Sequence, residues 1–459
     1  MNIAIDVQPL YSTHNTRGIG KYTFYLLRNI FSLDKKNNYY IINHYGETSA
    51  KDRLDGGKNV TELNFYSGSK QFLVEDATPE SRLYFKRITK KIIEEYNIDI
   101  FHITAVVDQF DVYESSFFKK TKLISTIYDL IPLIFAEHYL AGGTYPRKYC
   151  KCLEQYLFSD MIFSDSESAK EDANFYLKAD KNRIKTIYSG VDEGFDKINY
   201  SIETIKKINK KFAIVSPYLI CVGADDFRKN LHRLVEAFGL LPKNVLDNYQ
   251  LVIVCSMRDE MKNQLKNLAS TYNCRERVVI TGYINDEEML CLLNNAHLAV
   301  FPSMYEGFGL PIVEAWKCEI PVLTSNNSSL GEIAEDAAIT VNPFDKESIT
   351  KGLLYALTEA DLNNLIQKGT EKLKKYSWVA VAQSVLQSYE FLLEKSKMTV
   401  PLYEIVYKKQ NLESQCLKYV LLEQTFYMRF VSYLKSNRVT LPVYKVLYNI
   451  KQLIKMQSN

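Results

Sequence analysis

The 459-residue chain lacks the sequence features that mark several large classes of protein. It contains no apolar run of the roughly 18 residues that a membrane-spanning helix needs. Its first residues, MNIAIDVQPL, lack the basic start and the apolar core of a signal peptide. The formal net charge is +3, so no overall basic field attracts nucleic acid. We therefore expect a cytoplasmic protein without a nucleic-acid partner.

Zinc, disulfide and dehydrogenase patterns are missing as well. The eight cysteines are scattered, and only Cys150 and Cys152 lie close together, with no His or second cysteine pair at zinc spacing. Cys221 and Cys255 lie within apolar, strand-like runs, so we expect reduced, buried thiols. No GxGxxG motif follows a strand with an acid about 20 residues later, which disfavours a dehydrogenase.

Two series of alternating strands and helices occupy most of the chain, whose length suits two domains plus an appendage. The first series has predicted strands at Ile3–Val7, Tyr39–Asn43, Ile98–Ile103, Leu123–Ile127, Met161–Ser164 and Ile184–Ile187, and helices at Lys21–Phe31, Arg82–Tyr96 and Arg147–Phe158. The second series has predicted strands at Tyr218–Val222, Gln250–Cys255, Arg277–Thr281, Leu298–Phe301 and Val322–Thr324, and helices at Leu231–Phe238, Glu287–Asn294 and Pro311–Lys317. The pattern predicts an α/β protein with two Rossmann-like, doubly wound domains that face a cleft.

The boundaries of these domains follow from shifts in composition. The first domain is predicted at residues 1–197 and the second at 213–377. Between them, residues 198–212 are rich in Lys, Asn and Ser, which is typical of a linker. A closing helix is predicted at 378–398.

The last predicted segment, residues 399–459, is a basic helical extension. The run TVPLYEIVYKK at Thr399–Lys409 aligns with TLPVYKVLYNI at Thr440–Ile450. Each copy has Thr at the position of an N-cap and Pro in the first turn of a helix. The pattern predicts a module with two repeats, and oligomerisation is one use that 399–459 could serve.

The segment YEGFGLPIVEA at Tyr305–Ala315 carries the clearest chemical pattern. It places Glu306 on a loop after a strand and Glu314 on the first turn of a helix that begins near Pro311. Two glycines between the acids allow a tight turn and a close approach to a ligand. A carboxylate accepts two hydrogen bonds and so suits the paired hydroxyls of a sugar or ribose. The plainer alternative is that either acid is merely solvated.

At this point the chain resembles the retaining glycosyltransferases of family 4, which have the two-domain GT-B fold. The motifs that carry the resemblance are RGIGKY at Arg17–Tyr22, YSGVD at Tyr188–Asp192, YLICVGADDFRKNL at Tyr218–Leu231, SMYEGFGLPIVEA at Ser303–Ala315 and SSLGEIAEDAA at Ser328–Ala338. They occur in the family's order and cover about residues 1–395. The members that build bacterial surface polysaccharides are the most similar.

The resemblance implies a role for each matching residue. Glu314 would hold the ribose hydroxyls of a nucleoside-diphosphate sugar, and Glu306 would contact hydroxyls of the donor sugar. Arg228 and Lys229 would neutralise the diphosphate leaving group without a metal, since their positive charges at a helix start make more sense beside an anion. The other implied nucleotide-sugar contacts are Gly18, Gly20, Gly223, Gly282, Gly307, Phe308, Gly309 and Leu310.

The segment TIYDLIPL at Thr126–Leu133 departs from the family pattern. The family usually has His before the Asp, whereas this chain has Tyr128 before Asp129. A tyrosine can donate a hydrogen bond but does not ionise near neutral pH, so a proton-transfer role is lost at this position. Either Tyr128 supports a different donor sugar or catalysis is weakened.

Two further groups are candidates for contacts outside the donor site. His102 ends a predicted strand and is either an acceptor-side base or a hydrogen-bonded structural histidine. Four basic residues on one predicted helix either form a solvated face or dock the protein on an anionic membrane, at Lys86, Arg87, Lys90 and Lys91. Peripheral contact with the inner membrane face is therefore one expectation.

The resemblance implies a retaining hexosyltransferase of polysaccharide biosynthesis that needs no metal and no cofactor. Its donor substrate would be a nucleoside-diphosphate sugar, with GDP-mannose first and UDP-glucose, UDP-N-acetylhexosamine or dTDP-rhamnose open. Its acceptor would be a hydroxyl of a glycan or lipid-linked glycan. A nucleotide-sugar epimerase or hydrolase on the same scaffold, and a catalytically weakened structural partner, are the alternatives.

Overall fold

The computed structural model describes residues 1–44, 48–64, 79–109, 112–395 and 404–418. Within these ranges the chain forms two separate parallel sheets with helices packed on their faces. The predicted α/β architecture with two doubly wound sheets is therefore confirmed.

The first sheet has seven described strands in the order β3-β2-β1-β4-β5-β6-β7. The strands are β1 (Asn2–Asp6), β2 (Asn38–Asn43), β3 (Val60–Asn64), β4 (Ile100–Ile103), β5 (Lys122–Ile127), β6 (Met161–Ser164) and β7 (Ile184–Thr186). Every residue of β4, β5 and β6 is buried, because helices cover both faces of the sheet.

The helices around this sheet lie between its strands in the sequence. They are α1 (Gly18–Leu33), α2 (Ala50–Arg53), α3 (Pro79–Glu95), α4 (Ile131–Ile134), α5 (Ala136–Tyr139), α6 (Tyr145–Leu153) and α7 (Glu167–Leu177). We refer to the first sheet and these helices as the first domain. Short 3-10 helices at Gln8–Leu10, Val106–Asp108, Ser115–Phe118, Glu154–Phe158 and Lys181–Arg183 complete it.

The segment predicted as a linker contains α8 (Ile202–Phe212). The Ser201 side chain caps this helix by accepting a hydrogen bond from the Thr204 N–H. Ile205, Ile208 and Phe212 pack against the core of the second sheet. These isoleucines are the scattered apolar residues of the segment, and their helical spacing gives one buried face.

The second sheet has six described strands in the order β10-β9-β8-β11-β12-β13. The strands are β8 (Tyr218–Val222), β9 (Gln250–Val254), β10 (Val278–Ile280), β11 (Leu298–Phe301), β12 (Val322–Ser325) and β13 (Ile339–Val341). Its helices are α9 (Leu231–Gly239), α10 (Lys243–Leu246), α11 (Asp259–Thr271), α12 (Asp286–Asn294), α13 (Leu310–Lys317), α14 (Ser328–Ala334), α15 (Lys346–Thr358) and α16 (Leu362–Lys372). Sheet and helices form the second domain, with 3-10 helices at Phe227–Lys229, Arg275–Arg277 and Leu373–Tyr376.

The two strands that the sequence did not predict, β3 and β13, lie at the edges of their sheets. In β3 only Val60 is buried, and the other residues are half-buried or exposed. The three residues of β13 likewise include a single buried one, Val341. An edge strand has one neighbour and little covering, so its sequence shows a weaker apolar signal than a central strand.

The predicted closing helix is α17 (Trp378–Glu394), and it returns the chain to the first domain. Trp378, Val385 and Tyr389 share a buried cluster with Ile3 of β1 and Leu26 of α1. The Ser377 side chain caps α17 by accepting from the Ala380 N–H. The second domain is therefore linked to the first by two stretches of chain.

Part of the predicted extension is a helix at residues 404–418, which we call the tail helix. Leu412 and Cys416 are buried in a core cluster with Tyr149 and Cys150 of α6. The aligned copy at Thr440–Ile450 lies outside the described residues, and so do residues 399–403 of the first copy.

All eight cysteines are buried free thiols, as the sequence predicts. Among the residues that the structure describes, no helix combines the length and the apolar character needed to cross a bilayer.

Candidate active site

The loop after β11 carries both predicted acids to the carboxyl edge of the second sheet. Gly309 has φ of +108°, a left-handed conformation that favours glycine, and it caps α13. A Cβ atom there would also lie 2.9 Å from Cδ2 of Leu330. Pro311 occupies the first turn of α13, as expected. Pro311 has no N–H, and the Ile312 N–H donates to the Gly309 carbonyl oxygen at 3.0 Å, so an anion near this end is favoured mainly by the helix dipole.

Glu306 is held by the two predicted cations. Its Oε1 lies 2.7 Å from Nζ of Lys229, and its Oε2 lies 3.3 Å from Nη1 of Arg228. Burial alone would raise the pKa of Glu306, but the charges of Lys229 and Arg228 outweigh it and lower the pKa below its ordinary value. All three side chains therefore form one cluster on the second domain.

Arg228 has further partners on both domains. Its backbone N–H and its guanidinium donate to the Asp226 carboxylate, with Nη2 3.1 Å from Oδ2. Its Nε donates to the Tyr139 hydroxyl at 3.0 Å, and that hydroxyl donates in turn to Asp226 at 2.9 Å. Asp226 therefore orients Arg228. Asp225 pairs instead with Arg258, at 2.7 Å.

Glu314 lies half-buried on α13 in a different electrostatic environment. No hydrogen bond to its carboxylate is present among the described residues. Burial is the main reason that its pKa rises to about 7, and Asp192 adds to the rise while Lys21 and Lys229 oppose it. An unpaired carboxylate at this position is free to accept from two vicinal hydroxyls.

The glycine loop of the first domain faces this site. Helix α1 begins at Gly18, where a Cβ atom would lie 3.5 Å from Cδ1 of Leu310. The N-termini of α1 and α13 therefore approach each other across the cleft, and both favour negative charge. At Gly20 a Cβ atom would collide with the His14 carbonyl oxygen, so only glycine lets the preceding loop fold back on α1.

At Gly307 the backbones of the two domains approach each other closely. A Cβ atom on Gly307 would overlap the carbonyl oxygen of Tyr128. Beside it, Phe308 is buried and its ring packs near Tyr188 and Tyr376. The glycine is thus required for the strand-end loops of the two domains to meet.

Tyr128 does not direct its phenol at Glu306. The Tyr128 hydroxyl donates to the Thr104 carbonyl oxygen at 2.8 Å. Burial raises the pKa of Tyr128 far above its ordinary value, so the phenol stays neutral. The Asp129 Oδ1 accepts from the Ile131 N–H at 2.9 Å, and burial raises the pKa of this carboxyl as well. In this conformation the residue that departs from the family pattern is a structural hydrogen-bond donor.

Gly223 and Gly282 complete the edge of the second sheet. Gly223 follows β8, donates its N–H to the Val254 carbonyl at 3.1 Å, and lies beside the Lys229 side chain. Gly282 follows β10 with φ of +76°, a left-handed conformation that favours glycine. No atom lies within 4 Å of the position that a Cβ atom would take, so the backbone conformation and not crowding favours glycine here. Both positions share the sheet edge with Glu306.

The acceptor-side expectation for His102 is corrected by the structure. The side chain is fully buried between β5 and α17. Its Nδ1 lies 2.8 Å from the Tyr389 hydroxyl, and its Nε2 lies 2.9 Å from Oγ1 of Thr126. Both ring nitrogens are used and solvent is excluded, so burial lowers the pKa to about 3. His102 is the structural histidine of the two alternatives.

The basic face of α3 is partly neutralised by acids. Lys90 lies 3.9 Å from Glu94, and Lys91 lies 3.3 Å from Glu95. Lys86 also approaches Glu114, at 3.9 Å. Contact with an anionic membrane stays a prediction.

The hydrogen bonds that join the two domains were not predicted from the sequence. The Glu332 carboxylate of α14 accepts from the Glu167 and Ser168 N–H groups at 2.9 Å each, which caps α7. The Ser166 hydroxyl donates to the Gly307 carbonyl at 2.6 Å, and the Tyr305 hydroxyl donates to Asp172 at 2.7 Å. Glu332, Tyr305 and Gly307 of the second domain lie in motifs named from the sequence, whereas their partners on the first domain lie outside those motifs.

The region that holds these residues matches a known family. Residues 201–373 match the family model described as "Glycosyl transferases group 1". The serotype-specific mannosyltransferase WbdA of Escherichia coli is 28% identical over 424 residues, which cover 87% of this chain and 49% of WbdA. The O-antigen chain mannosyltransferase B of Escherichia coli is 31% identical over 176 residues, which cover 38% of this chain and 46% of that protein. The chain thus spans about half the length of these relatives.

Solved structures with the same architecture decide the fold. A glycosyltransferase from Rickettsia africae ESF-5 superposes with a TM-score of 0.63 at 18% identity, covering 86% of this chain and 99% of that one. The chain has the GT-B fold. In this GT-B chain the cluster of Glu306, Arg228 and Lys229, together with Glu314, lies within the matched range and faces the glycine loop of the first domain.

Proposed function

We propose that this GT-B chain is a retaining hexosyltransferase of family 4 that uses a nucleoside-diphosphate sugar and no metal. The observation that carries the proposal is the cluster in which Glu306 is bound by Lys229 and Arg228, together with Glu314, whose carboxylate has no hydrogen bond within the described part of the chain. Two cations suit the charge of a diphosphate. Two carboxylates suit the hydroxyls of the ribose and of the sugar that the diphosphate joins.

Each residue has a role that fits its contacts. Lys229 and Arg228 bind the diphosphate and stabilise the negative charge that it gains as the glycosidic bond breaks. The N-termini of α1 and α13 also stabilise negative charge on the diphosphate. Glu314 accepts from the ribose hydroxyls, and Glu306 positions the donor sugar while keeping both cations in place.

The sugar transfer needs no nucleophile from the protein. The acceptor oxygen forms a bond to the anomeric carbon on the face that the diphosphate leaves. The diphosphate oxygen takes the electron pair of the broken bond and then the proton of the acceptor hydroxyl. Tyr128 takes no part in this proton transfer, because its hydroxyl donates to Thr104. Closure of the domains around Gly307 excludes water from the site.

For the donor sugar we propose mannose carried by GDP. Support comes from the named activities of the two Escherichia coli relatives, both mannosyltransferases, and from the RGIGKY and RKN motifs. The acceptor would be a hydroxyl of a glycan or lipid-linked glycan in surface polysaccharide synthesis.

The test combines donor binding with turnover. We expect GDP or GDP-mannose to raise the melting temperature more than UDP, UDP-glucose or dTDP-rhamnose does, because a ligand that binds only the folded state stabilises it. In the Lys229→Ala variant we expect mannose transfer to fall by roughly 10² to 10³, since one charge-stabilising donor is lost. Lys243→Ala, at an exposed position on α10, is the matched control.

Other outcomes of the same test identify the alternatives. Product formed from the donor without any acceptor would make the chain an epimerase or hydrolase. Donor binding that is unaffected by Lys229→Ala and Glu314→Ala would favour a structural partner without turnover.

A further inference from the structure

The first domain reaches the cation cluster of the second domain through the short helix α5. Three rings at this helix, those of Phe135, His138 and Tyr139, pack against the ring of Phe227 on the second domain. Their centroids lie 5.3, 4.1 and 5.8 Å from that of Phe227, in the same order. Phe227 begins the 3-10 helix that also carries both predicted cations. The aromatic contact therefore places α5 directly on the turn that holds these cations.

The Tyr139 hydroxyl, at the end of α5, links Arg228 to Asp226. It accepts from Nε of Arg228 at 3.0 Å and donates to Oδ1 of Asp226 at 2.9 Å. Tyr139 is half-buried, and burial raises the pKa of its phenol above the ordinary value, so the hydroxyl keeps the proton that it donates. A neutral phenol can donate one hydrogen bond and accept another at the same time.

Tyr139 differs from the other partners of Arg228 in the domain that supplies it. Nη1 of Arg228 donates to the Tyr305 carbonyl oxygen at 2.9 Å and to Glu306 at 3.3 Å. Nη2 donates to Asp226 at 3.1 Å. These three acceptors belong to the second domain. Within the described part of the chain, Tyr139 is the only hydrogen-bond partner of Arg228 from the first domain, so separation of the domains would remove this bond and leave the others.

The bond to Tyr139 also fixes the part of Arg228 that is left for a ligand. One N–H of Nη2 has no hydrogen bond among the residues that the structure describes. Because the guanidinium is planar, a partner on Nε sets the direction of this N–H. Nε lies 3.0 Å from the Tyr139 hydroxyl and 3.3 Å from Oδ2 of Asp226, so the bond to Tyr139 is the shorter of the two.

We propose that Tyr139 is a positioning residue that directs the guanidinium of Arg228 toward the diphosphate only when the two domains are closed. This inference rests on the proposed function and names how closure regulates the site. In an open molecule Arg228 keeps its charge and still binds the donor. Closure adds the bond from Tyr139, which aims the remaining N–H at the charge that the leaving group gains.

The first test replaces Tyr139 by phenylalanine in the full chain, which removes the hydroxyl and keeps the ring on Phe227. With GDP-mannose as donor and p-nitrophenyl α-mannopyranoside as acceptor probe, we expect kcat to fall roughly tenfold, because the lost hydrogen bond involves a charged group. The KM for the donor and the melting shift with GDP should stay at their wild-type values. Tyr355→Phe, at a tyrosine of α15 that is 47% exposed, is the matched control and should keep the wild-type kcat.

A double-mutant cycle separates positioning of Arg228 from simple strengthening of closure. Arg228→Lys keeps the positive charge but removes Nε, the atom that Tyr139 holds. If Tyr139 acts through Arg228, adding Tyr139→Phe to Arg228→Lys should cause no further loss of kcat. A phenol that only strengthened closure would lower kcat by the same factor in both backgrounds.

The phosphorus-31 resonances of bound GDP provide a second measurement of the cycle, which needs no turnover. We expect Tyr139→Phe to move the β-phosphate resonance in the Arg228 background and to leave it unmoved in the Arg228→Lys background. The cycle is therefore decided even where Arg228→Lys transfers too little sugar to measure. Tyr355→Phe should leave the resonance at its wild-type position.

Two results would overturn the inference. One is a wild-type kcat in Tyr139→Phe, and the other is an effect of Tyr139→Phe that is the same in the Arg228 and Arg228→Lys backgrounds. Failure of the proposed function looks different, because the wild type itself would then show no melting shift with any nucleotide sugar and no transfer.

Discussion

Glu306 and Glu314 have opposite electrostatic environments although both belong to YEGFGLPIVEA. Lys229 and Arg228 keep Glu306 ionised, whereas burial makes Glu314 hard to ionise. At neutral pH the first acid is a permanent anion in a charge cluster. The second is close to half-protonated until a ligand with hydroxyl donors favours its charged form.

Glu314→Gln should raise the stability of the ligand-free protein at pH 8. The pKa of Glu314 is about 7 in the folded state against an ordinary 4.5, so the folded state holds a proton that the unfolded state has lost between these values. The free energy of unfolding therefore falls as the pH rises from 4.5 to 7. After allowance for partial exposure the wild type should lose on the order of 2 kcal/mol, a change of a few degrees in melting temperature.

Thermal melts of wild type and Glu314→Gln at pH 5 and pH 8 check this. The gain should be seen at pH 8 and be nearly absent at pH 5. Glu390→Gln, at an exposed position on α17, should show no such difference. Equal melting shifts at the two pH values would contradict the assigned pKa.

Gly307→Ala should reduce turnover without weakening donor binding. The added methyl group collides with the Tyr128 carbonyl, so the strand-end loops cannot meet and the reacting groups are misplaced. A displacement of about 1 Å can cost roughly 10² in rate. We would measure kcat for sugar transfer together with the melting shift given by the nucleotide. Gly57→Ala, where the nearest atom belongs to the Asn59 side chain, is the control, and a wild-type kcat in Gly307→Ala would contradict the expectation.

At the scale of elements, the tail helix extends the first domain beyond the two-domain core. Leu412 and Cys416 enter the same cluster as Tyr149 and Cys150 of α6, and Lys409 lies 3.0 Å from Glu154. The tail helix thus packs on α6, a helix that also lines a cavity of the first domain.

Leu412→Ala should release the tail helix from α6. Removal of a fully buried leucine side chain costs about 2–4 kcal/mol, which is more than an exposed helix contributes by itself. We expect faster hydrogen exchange over 404–418 and over Tyr145–Leu153, with unchanged exchange in the second domain. Val406→Ala, whose side chain is 45% exposed, should leave the exchange pattern as in the wild type. Protection of both helices in Leu412→Ala would show that the contact is not needed for docking.

At the scale of the whole molecule, hydrogen bonds across the cleft hold the two domains together. Glu332 caps α7, Ser166 bonds to the loop of Gly307, and Tyr139 bonds to Asp226. These hydrogen bonds are partly exposed, so they can break when the cleft opens for substrate entry and product release.

Glu332→Gln should shift the molecule toward a more open state. A neutral amide oxygen is a weaker acceptor than a carboxylate at the α7 N-terminus, and its NH₂ group cannot replace the second oxygen. We expect a larger radius of gyration in small-angle scattering and a faster release of nucleotide. Glu276→Gln, at an exposed site of the second domain, should change neither. A radius equal to that of the wild type would mean that the cap does not control closure.

The sequence by itself determined the two series of strands and helices and the loop that carries Glu306. Apolar runs of the central strands are long enough to predict because helices cover both of their faces. The glycine and proline of YEGFGLPIVEA determined the start of α13, since each restricts the backbone locally. The resemblance to the family 4 glycosyltransferases, rather than a local pattern, pointed to Arg228 and Lys229 as the cations of the site.

Only the tertiary structure decided which side chains meet. It joined Glu306 to the cations on one domain, turned the Tyr128 phenol to Thr104, and buried His102 between Thr126 and Tyr389. It also brought His14 to Asp108, two residues whose spacing in the chain has no signature. The physical reason is that spacing determines neighbours within one helix or strand, whereas contacts between strand ends and across the cleft depend on the packing of both sheets.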